Sequence, residues 1–215
     1  ETTYKLLAEF VDTANALKPD LALFTGDLID FSLEDLPAGV AFIRALRPKY
    51  ATAMCVGNHD LIENPRGFYE GAWKADMGFL LNECRTVRIG ASAVELLGIG
   101  WTSQQKRMSD SIEVAKQGRG NGFPILLAHH PHAFDSAVEQ RLPLTLSGHT
   151  HGGQIMFSRD VGAGALVYRY TSGLYRKSNS ALVVSNGVGN WFPLRINAPA
   201  EIVHVVLHRG AQAVA

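Results

Sequence analysis

Leu142-Pro143-Leu144-Thr145-Leu146-Ser147-Gly148-His149-Thr150-His151-Gly152-Gly153-Gln154 runs from a short apolar stretch into two imidazoles framed by glycine. Residues 142–146 are too few for a helix and suit a strand buried on both faces. If the backbone stays extended beyond them, side chains at i and i+2 project to the same side. His149 and His151 then address one centre, while the glycines let other groups approach closely. Paired histidines on a glycine-rich loop add little packing, and the pattern is that of a metal site.

Three further apolar runs end in the same way. Leu21-Ala22-Leu23-Phe24 stops at Thr25-Gly26-Asp27, and Ala51-Thr52-Ala53-Met54-Cys55-Val56 stops at Gly57-Asn58-His59-Asp60. Phe123-Pro124-Ile125-Leu126-Leu127-Ala128 stops at His129-His130-Pro131-His132. Between the runs lie helical patterns: Tyr4, Leu7, Ala8, Val11, Ala14 and Leu17, then residues 34–46, 67–77 and 109–117. This alternation predicts an α/β (α+β) fold with a largely parallel or mixed sheet covered by helices. Alternating stretches at 86–89 and 93–99 predict a meander forming a second sheet packed on the first, and residues 165–207 read as strands broken at Gly187-Val188-Gly189-Asn190.

Taken singly, most of these blocks have ordinary explanations. Gly26-Asp27 is common turn chemistry, Asp30 can cap or solvate its loop, and Asn58 and Asp60 are frequent turn formers. Some of His129, His130 and His132 can be loop histidines. Ligands in open α/β sheets bind beyond the carboxyl ends of the strands, and independent turns would not place Asp27, Asn58, His129 and His149 all there. Cysteine is absent from these positions, which argues against a closed structural zinc site and for a centre with open coordination positions. Residues 101–107 and 168–177 are candidate pocket loops.

The 215 residues are 47% hydrophobic, with 20 Lys plus Arg against 20 Asp plus Glu. That suits a folded domain, and zero formal charge gives no signal for a nucleic-acid or acidic-membrane partner. Cys55, within an apolar run, reads as a buried free thiol, and with Cys84 it fixes no compartment. No segment reaches the roughly 18–20 apolar residues of a membrane span, so the chain as given is expected to be soluble and cytoplasmic.

Together, Gly26-Asp27, Gly57-Asn58-His59-Asp60, His129 and Gly148-His149-Thr150-His151 resemble the calcineurin-like metallophosphoesterase family. The resemblance implies a sandwich of two mixed β-sheets flanked by helices, with two divalent transition-metal ions (Mn2+, Fe2+/Fe3+ or Zn2+) at the sheet edge. It implies that Asp27 bridges both metals, that Asn58, His129 and His149 bind the second, and that His151 binds the first. His59 would stabilise the transition state or protonate the leaving group, and Asp60 would orient its ring. The implied activity is phosphoester hydrolysis, expected on a diester, by in-line attack of a metal-bound hydroxide on phosphorus.

Residues 190–202 and Gly152-Gly153-Gln154-Ile155 resemble a bacterial subgroup often anchored by an amino-terminal membrane segment. That implies a small phosphoester or lipid-linked substrate, including a nucleotide-linked lipid pyrophosphate, and a full-length protein associated with a membrane. Arg195 is expected to form a strand-edge ion pair rather than contact phosphate. One departure stands out, because the family opens with an Asp-x-His block on a strand ahead of the first helix, and this sequence begins at that helix. Residues 1–215 are therefore expected to be one metallophosphoesterase domain lacking its first strand. A non-catalytic binding module of the same fold and a metal-dependent hydrolase of another bond, such as an amide, stay open as alternatives.

Overall fold

All four apolar runs form strands, and they divide between two layers. The computed structural model describes residues 2–155, 168–189 and 195–208. After helix α1 (Thr2–Ala16), β1 (Leu21–Phe24) pairs in parallel with β2 (Ala51–Met54), Leu23 opposite Ala53, as a two-stranded sheet. The other sheet holds β3 (Glu83–Ile89), β4 (Ser92–Gly98), β5 (Phe123–Leu127), β6 (Leu144–Ser147), β7 (Gly173–Lys177) and β8 (Ser180–Val184). Its order is β3-β4-β5-β6-β8-β7; β4, β5, β6 and β8 run parallel, while β3 and β7 are antiparallel edges.

Ala53 and Cys55 from the small sheet pack against Leu80, Leu96, Ile125 and Leu127, forming the apolar layer between the sheets. Helices α2 (Leu36–Ala45) and α3 (Pro65–Lys74) cover the small sheet, burying Ile43, Phe68 and Ala72 against Met54 and Phe79. On the other side α4 (Gln105–Lys116) and α5 (Ala133–Glu139) bury Met108, Ile112 and Ala137 on Leu97 and Leu126. This is the helix-flanked two-sheet sandwich, its larger sheet mixed and its smaller one parallel. Among the described residues no helix is long and apolar enough to cross a membrane.

Local chemistry explains several boundaries. Asn64 accepts a hydrogen bond from Gly67 N at 2.9 Å, and Pro65 opens α3 where its missing N–H costs nothing. The helix expected to reach residue 77 stops at Lys74, because Asp76 (φ 47°) and Gly78 (φ 78°) turn the chain into Phe79. The expected meander is a single hairpin and does not form a separate sheet. Val94, Leu96 and Leu97 make β4 apolar on both faces, so β4 sits centrally beside β5, and only β3 shows the half-exposed character of an edge.

Within residues 165–207, strand structure is confined to β7 and β8 among the described residues. Residues 165–167 and 190–194, part of the expected strands and of the subgroup resemblance, lie outside the described residues. Residues 198–207 were also expected to be strand, but they have no ladder partner among the described residues; just before them Ile196 forms an isolated bridge to Ile155. Alternation defines a face, and a strand needs a hydrogen-bonded neighbour as well. Phe68 is fully buried and meets Phe79 edge-on with centroids 6.1 Å apart. Phe68→Ala is expected to cost about 3–5 kcal/mol, read as a lower urea midpoint with an unchanged slope.

Candidate metal centre

The carboxyl ends of β1, β2, β5 and β6 meet at one edge of the sandwich, and each delivers a polar loop. The first two are tied together by Asp60, whose carboxylate is almost completely buried. Its Oδ2 accepts from Asp27 N (3.0 Å) and Gly57 N (2.8 Å), and its Oδ1 from Leu28 N (2.7 Å) and Ile29 N (3.1 Å). Burial pushes the Asp60 carboxyl above its ordinary value, while the N–H groups of Gly57 and Ile29 oppose that shift. With both oxygens engaged by the main chain, Asp60 positions the Asp27 loop. The expectation that it orients His59 is corrected on this point.

Asp27 itself has φ 56°, a left-handed conformation costing a non-glycine residue about 1–3 kcal/mol. Its Oδ1 accepts from His59 N at 2.9 Å. A Cβ at Gly57 would lie 2.0 Å from that same Oδ1, so only glycine lets the two loops approach this closely. Asn58 occupies the N-cap position of the 3-10 turn His59–Leu61, yet its side chain does not cap the turn. It faces the histidines instead.

Asp27, His129 and His149 place ligand atoms within 4.8 Å of one another. His129 Nε2 lies 3.0 Å from Asp27 Oδ2, 3.1 Å from Asn58 Oδ1 and 3.2 Å from His149 Nδ1. His149 Nδ1 is also 2.8 Å from Asn58 Oδ1. The other nitrogen of His129, Nδ1, donates to Thr25 O at 2.6 Å, which leaves Nε2 of the neutral ring as a bare lone pair. Two imidazoles, a carboxylate and an amide oxygen therefore converge with too few protons to satisfy them. A divalent cation resolves that excess of acceptors, and the donor set fits Mn2+, Fe2+ or Zn2+.

The electrostatics of the cluster agree with this. Burial works to raise the Asp27 carboxyl, but positive charge placed on His129, with help from His59, holds it below its ordinary value, and a cation would act in the same direction as that proton. Burial, with repulsion from His129 and His130, drives His149 down to about 3. His130, stacked on His149 at 5.0 Å, falls to about 4 through burial and the neighbouring His132 and His129. These rings stay neutral near pH 7, as ligands must.

His151 does not join the cluster as a same-side partner of His149. Both have positive φ, 72° for His149 and 49° for His151, with Thr150 αR between them, so the extended backbone assumed from sequence stops at Ser147. The rings are consequently separated in role. His151 Nδ1 lies 3.2 Å from Asn186 O and 3.3 Å from Arg195 Nη2, and burial and the Arg195 charge lower its pKa. Arg195 also donates to the carbonyls of Asn186, Gly189 and Ala198, and so braces a loop.

The His59 ring is held by Asp30. Its Nδ1 is 2.7 Å from Asp30 O and 3.1 Å from Asp30 Oδ1. Sequence reading passed over Asp30 as loop solvation; its spacing of three from Asp27 was the available signal. Trp101 was also missed, although its loop was marked: the indole lies 5.5 Å from His129 and 4.9 Å from His149, centroid to centroid. It shields the backs of both rings from water.

Buried lone pairs at the strand ends of a helix-flanked sandwich define a metal-binding centre. Residues 2–153 match the family model for calcineurin-like phosphoesterases, and the chain belongs to that family. An uncharacterized metallophosphoesterase of Helicobacter pylori strain J99 is 34% identical over 204 residues, covering 92% of this chain and 53% of that protein. A transmembrane protein with metallophosphoesterase domain from Danio rerio is 31% identical, covering 94% of this chain and 48% of its own length. Phosphodiesterase YaeI of Escherichia coli K12 is 28% identical, with 94% and 75% covered. The chain spans about half the length of the first two.

Acid should weaken the metal-free fold in a defined way. His149 and His130 titrate near the ordinary 6.5 when unfolded but only at about 3 and about 4 when folded. The unfolded state thus binds more protons as pH falls below about 6.5, so stability is full above that pH and declines towards pH 4. The urea midpoint of chelator-treated protein should fall over this range, and His130→Asn should make the decline shallower.

Proposed function

We propose that this protein is a two-metal phosphodiesterase, with Asp27, Asn58, His129 and His149 holding one ion and Asp27 and His151 serving a second. The observation that carries the reading is the convergence of Asp27 Oδ2, Asn58 Oδ1, His129 Nε2 and His149 Nδ1 at hydrogen-bonding distance with too few protons to pair them. Divalent cations bound there would polarise a phosphoryl oxygen and make water a competent nucleophile at neutral pH. Asn58, being neutral, leaves more positive charge on its ion than a carboxylate would.

His59 supplies the proton. Its Nδ1–H is engaged by Asp30, so Nε2 is the nitrogen that exchanges a proton with the leaving oxygen, and the Asp30 carboxylate supports the charged ring. His59 N, donating to Asp27 Oδ1, keeps that acid in register with the carboxylate shared by both ions. The name of the E. coli relative, a phosphodiesterase, favours a diester over a monoester.

The ion served by Asp27 and His151 needs further ligands. In this reading they come from a strand beside β1, which is half-buried throughout and pairs only with β2 among the described residues, and residues 1–215 form one domain with that strand. A membrane-associated full-length protein acting on a small or lipid-linked phosphoester follows from the same family likeness and from the transmembrane relative. A scaffold that binds metal without turnover is the competing outcome.

Full-length protein loaded with Mn2+ should hydrolyse bis(p-nitrophenyl) phosphate. His59→Ala should lower kcat by about 10²–10⁴ with metal content unchanged, and Asp30→Asn should fall between the two. Inactivity with Mn2+, Fe2+ and Zn2+ alike, or full activity of His59→Ala, would overturn the reading.

A further inference from the structure

Tyr168 stands behind His149. Its hydroxyl lies 3.0 Å from His149 Nε2, the nitrogen opposite the one that faces Asn58 and His129. The rings meet edge to face with centroids 5.3 Å apart, and Tyr168 also packs on His130 at 5.8 Å.

The hydroxyl is not on a loose tether. Arg169 N donates to His132 Nε2 at 3.2 Å, while Arg169 Nη1 and Tyr170 OH both reach Asp135 on α5 at 2.9 Å. Thr171 N donates to Tyr175 OH at 2.9 Å, and Thr171 O accepts from Thr150 Oγ1, one residue after His149. The segment is thus fastened to the helix, the hairpin and the histidine loop it serves.

We propose that Tyr168 is a positioning residue for the metal site, holding His149 in an orientation that lets Nδ1 act as a ligand and accepting the Nε2 proton that this role requires. This rests on the reading of His149 as a ligand given above. A neutral imidazole that offers Nδ1 must carry its proton on Nε2, and that proton needs an acceptor; ligating histidines are characteristically held in this way. The Tyr168 oxygen is the acceptor in reach. In the other tautomer Nδ1–H donates to Asn58 Oδ1 at 2.8 Å, and the same hydroxyl turns to donate to Nε2. A carboxylate in this place would favour one tautomer, whereas a hydroxyl serves both with no heavy atom moving.

Tyr168→Phe keeps the ring and removes only the hydroxyl, and Tyr170→Phe is the matched control that loosens the segment at Asp135. Calorimetric titration of chelator-treated full-length protein with Zn2+ should show binding weakened about 10- to 100-fold in Tyr168→Phe. Tyr170→Phe should bind as the parent does while unfolding at lower urea. A Co2+ absorption spectrum altered in Tyr168→Phe but not in Tyr170→Phe would place the change at the metal. Parent-like affinity in Tyr168→Phe would overturn the proposal and leave the metal site standing, and equal weakening in both variants would overturn it by reducing Tyr168 to part of the strap. A parent that binds no divalent ion would instead overturn the ligand reading of His149, and this role for Tyr168 with it.

Discussion

One buried carboxylate organises this molecule's working edge. Asp60 accepts four main-chain N–H groups, from Asp27, Leu28, Ile29 and Gly57, and so fuses the turns that leave β1 and β2. Hydrogen bonds to a charged group are worth more than neutral ones, and each donor left buried without an acceptor costs about 1–3 kcal/mol. That network can hold Asp27 in a left-handed conformation it would otherwise leave. The contact between Gly57 and the Asp27 carboxylate follows from it, as does the placement of His59, whose N–H reaches the same carboxylate.

What the network holds is an arrangement ill suited to an isolated protein. Asp27, His149 and His151 all have positive φ, and three acceptor atoms crowd around His129 Nε2. Strain of this kind persists where surrounding structure over-determines it, and it gathers at functional sites. Elsewhere the fold obeys its local rules: the apolar runs are strands, Asn64 and Pro65 start a helix, and Phe68 fills a core. The contrast between a locally consistent scaffold and a frustrated edge marks the site as clearly as any single residue.

The strands were legible because burial on both faces leaves an unbroken apolar run, and Asp27, Asn58, His129 and His149 were legible because each directly follows one. Partners that depend on tertiary geometry were not. Asp60 and Asp30 are both acidic residues near His59, and sequence cannot say which of them faces main-chain donors and which faces a ring. The assumption that His149 and His151 share a face failed because a two-residue period holds only while the backbone is extended, and here it turns left-handed at the first histidine. Layer membership was misjudged for a related reason: Val94, Leu96 and Leu97 give β4 two apolar faces, a property of its neighbours as much as of its own alternation. Tyr168 carries no motif, since its position depends on anchors at Asp135, His132 and Tyr175 that are far apart in the chain.

The hydrogen bond from His129 Nδ1 to Thr25 O spans the two sheets, because His129 follows β5 and Thr25 follows β1. A cation drawing on Asp27 and Asn58 from one layer and on His129 and His149 from the other would act as a cross-link between them. Ligand that binds only the folded state stabilises it by mass action, and here that stabilisation falls on one seam. Loss of such an ion would loosen this seam before the rest of the fold, so the seam is where amide exchange would first report depletion and where a chelator would act as a selective local destabiliser.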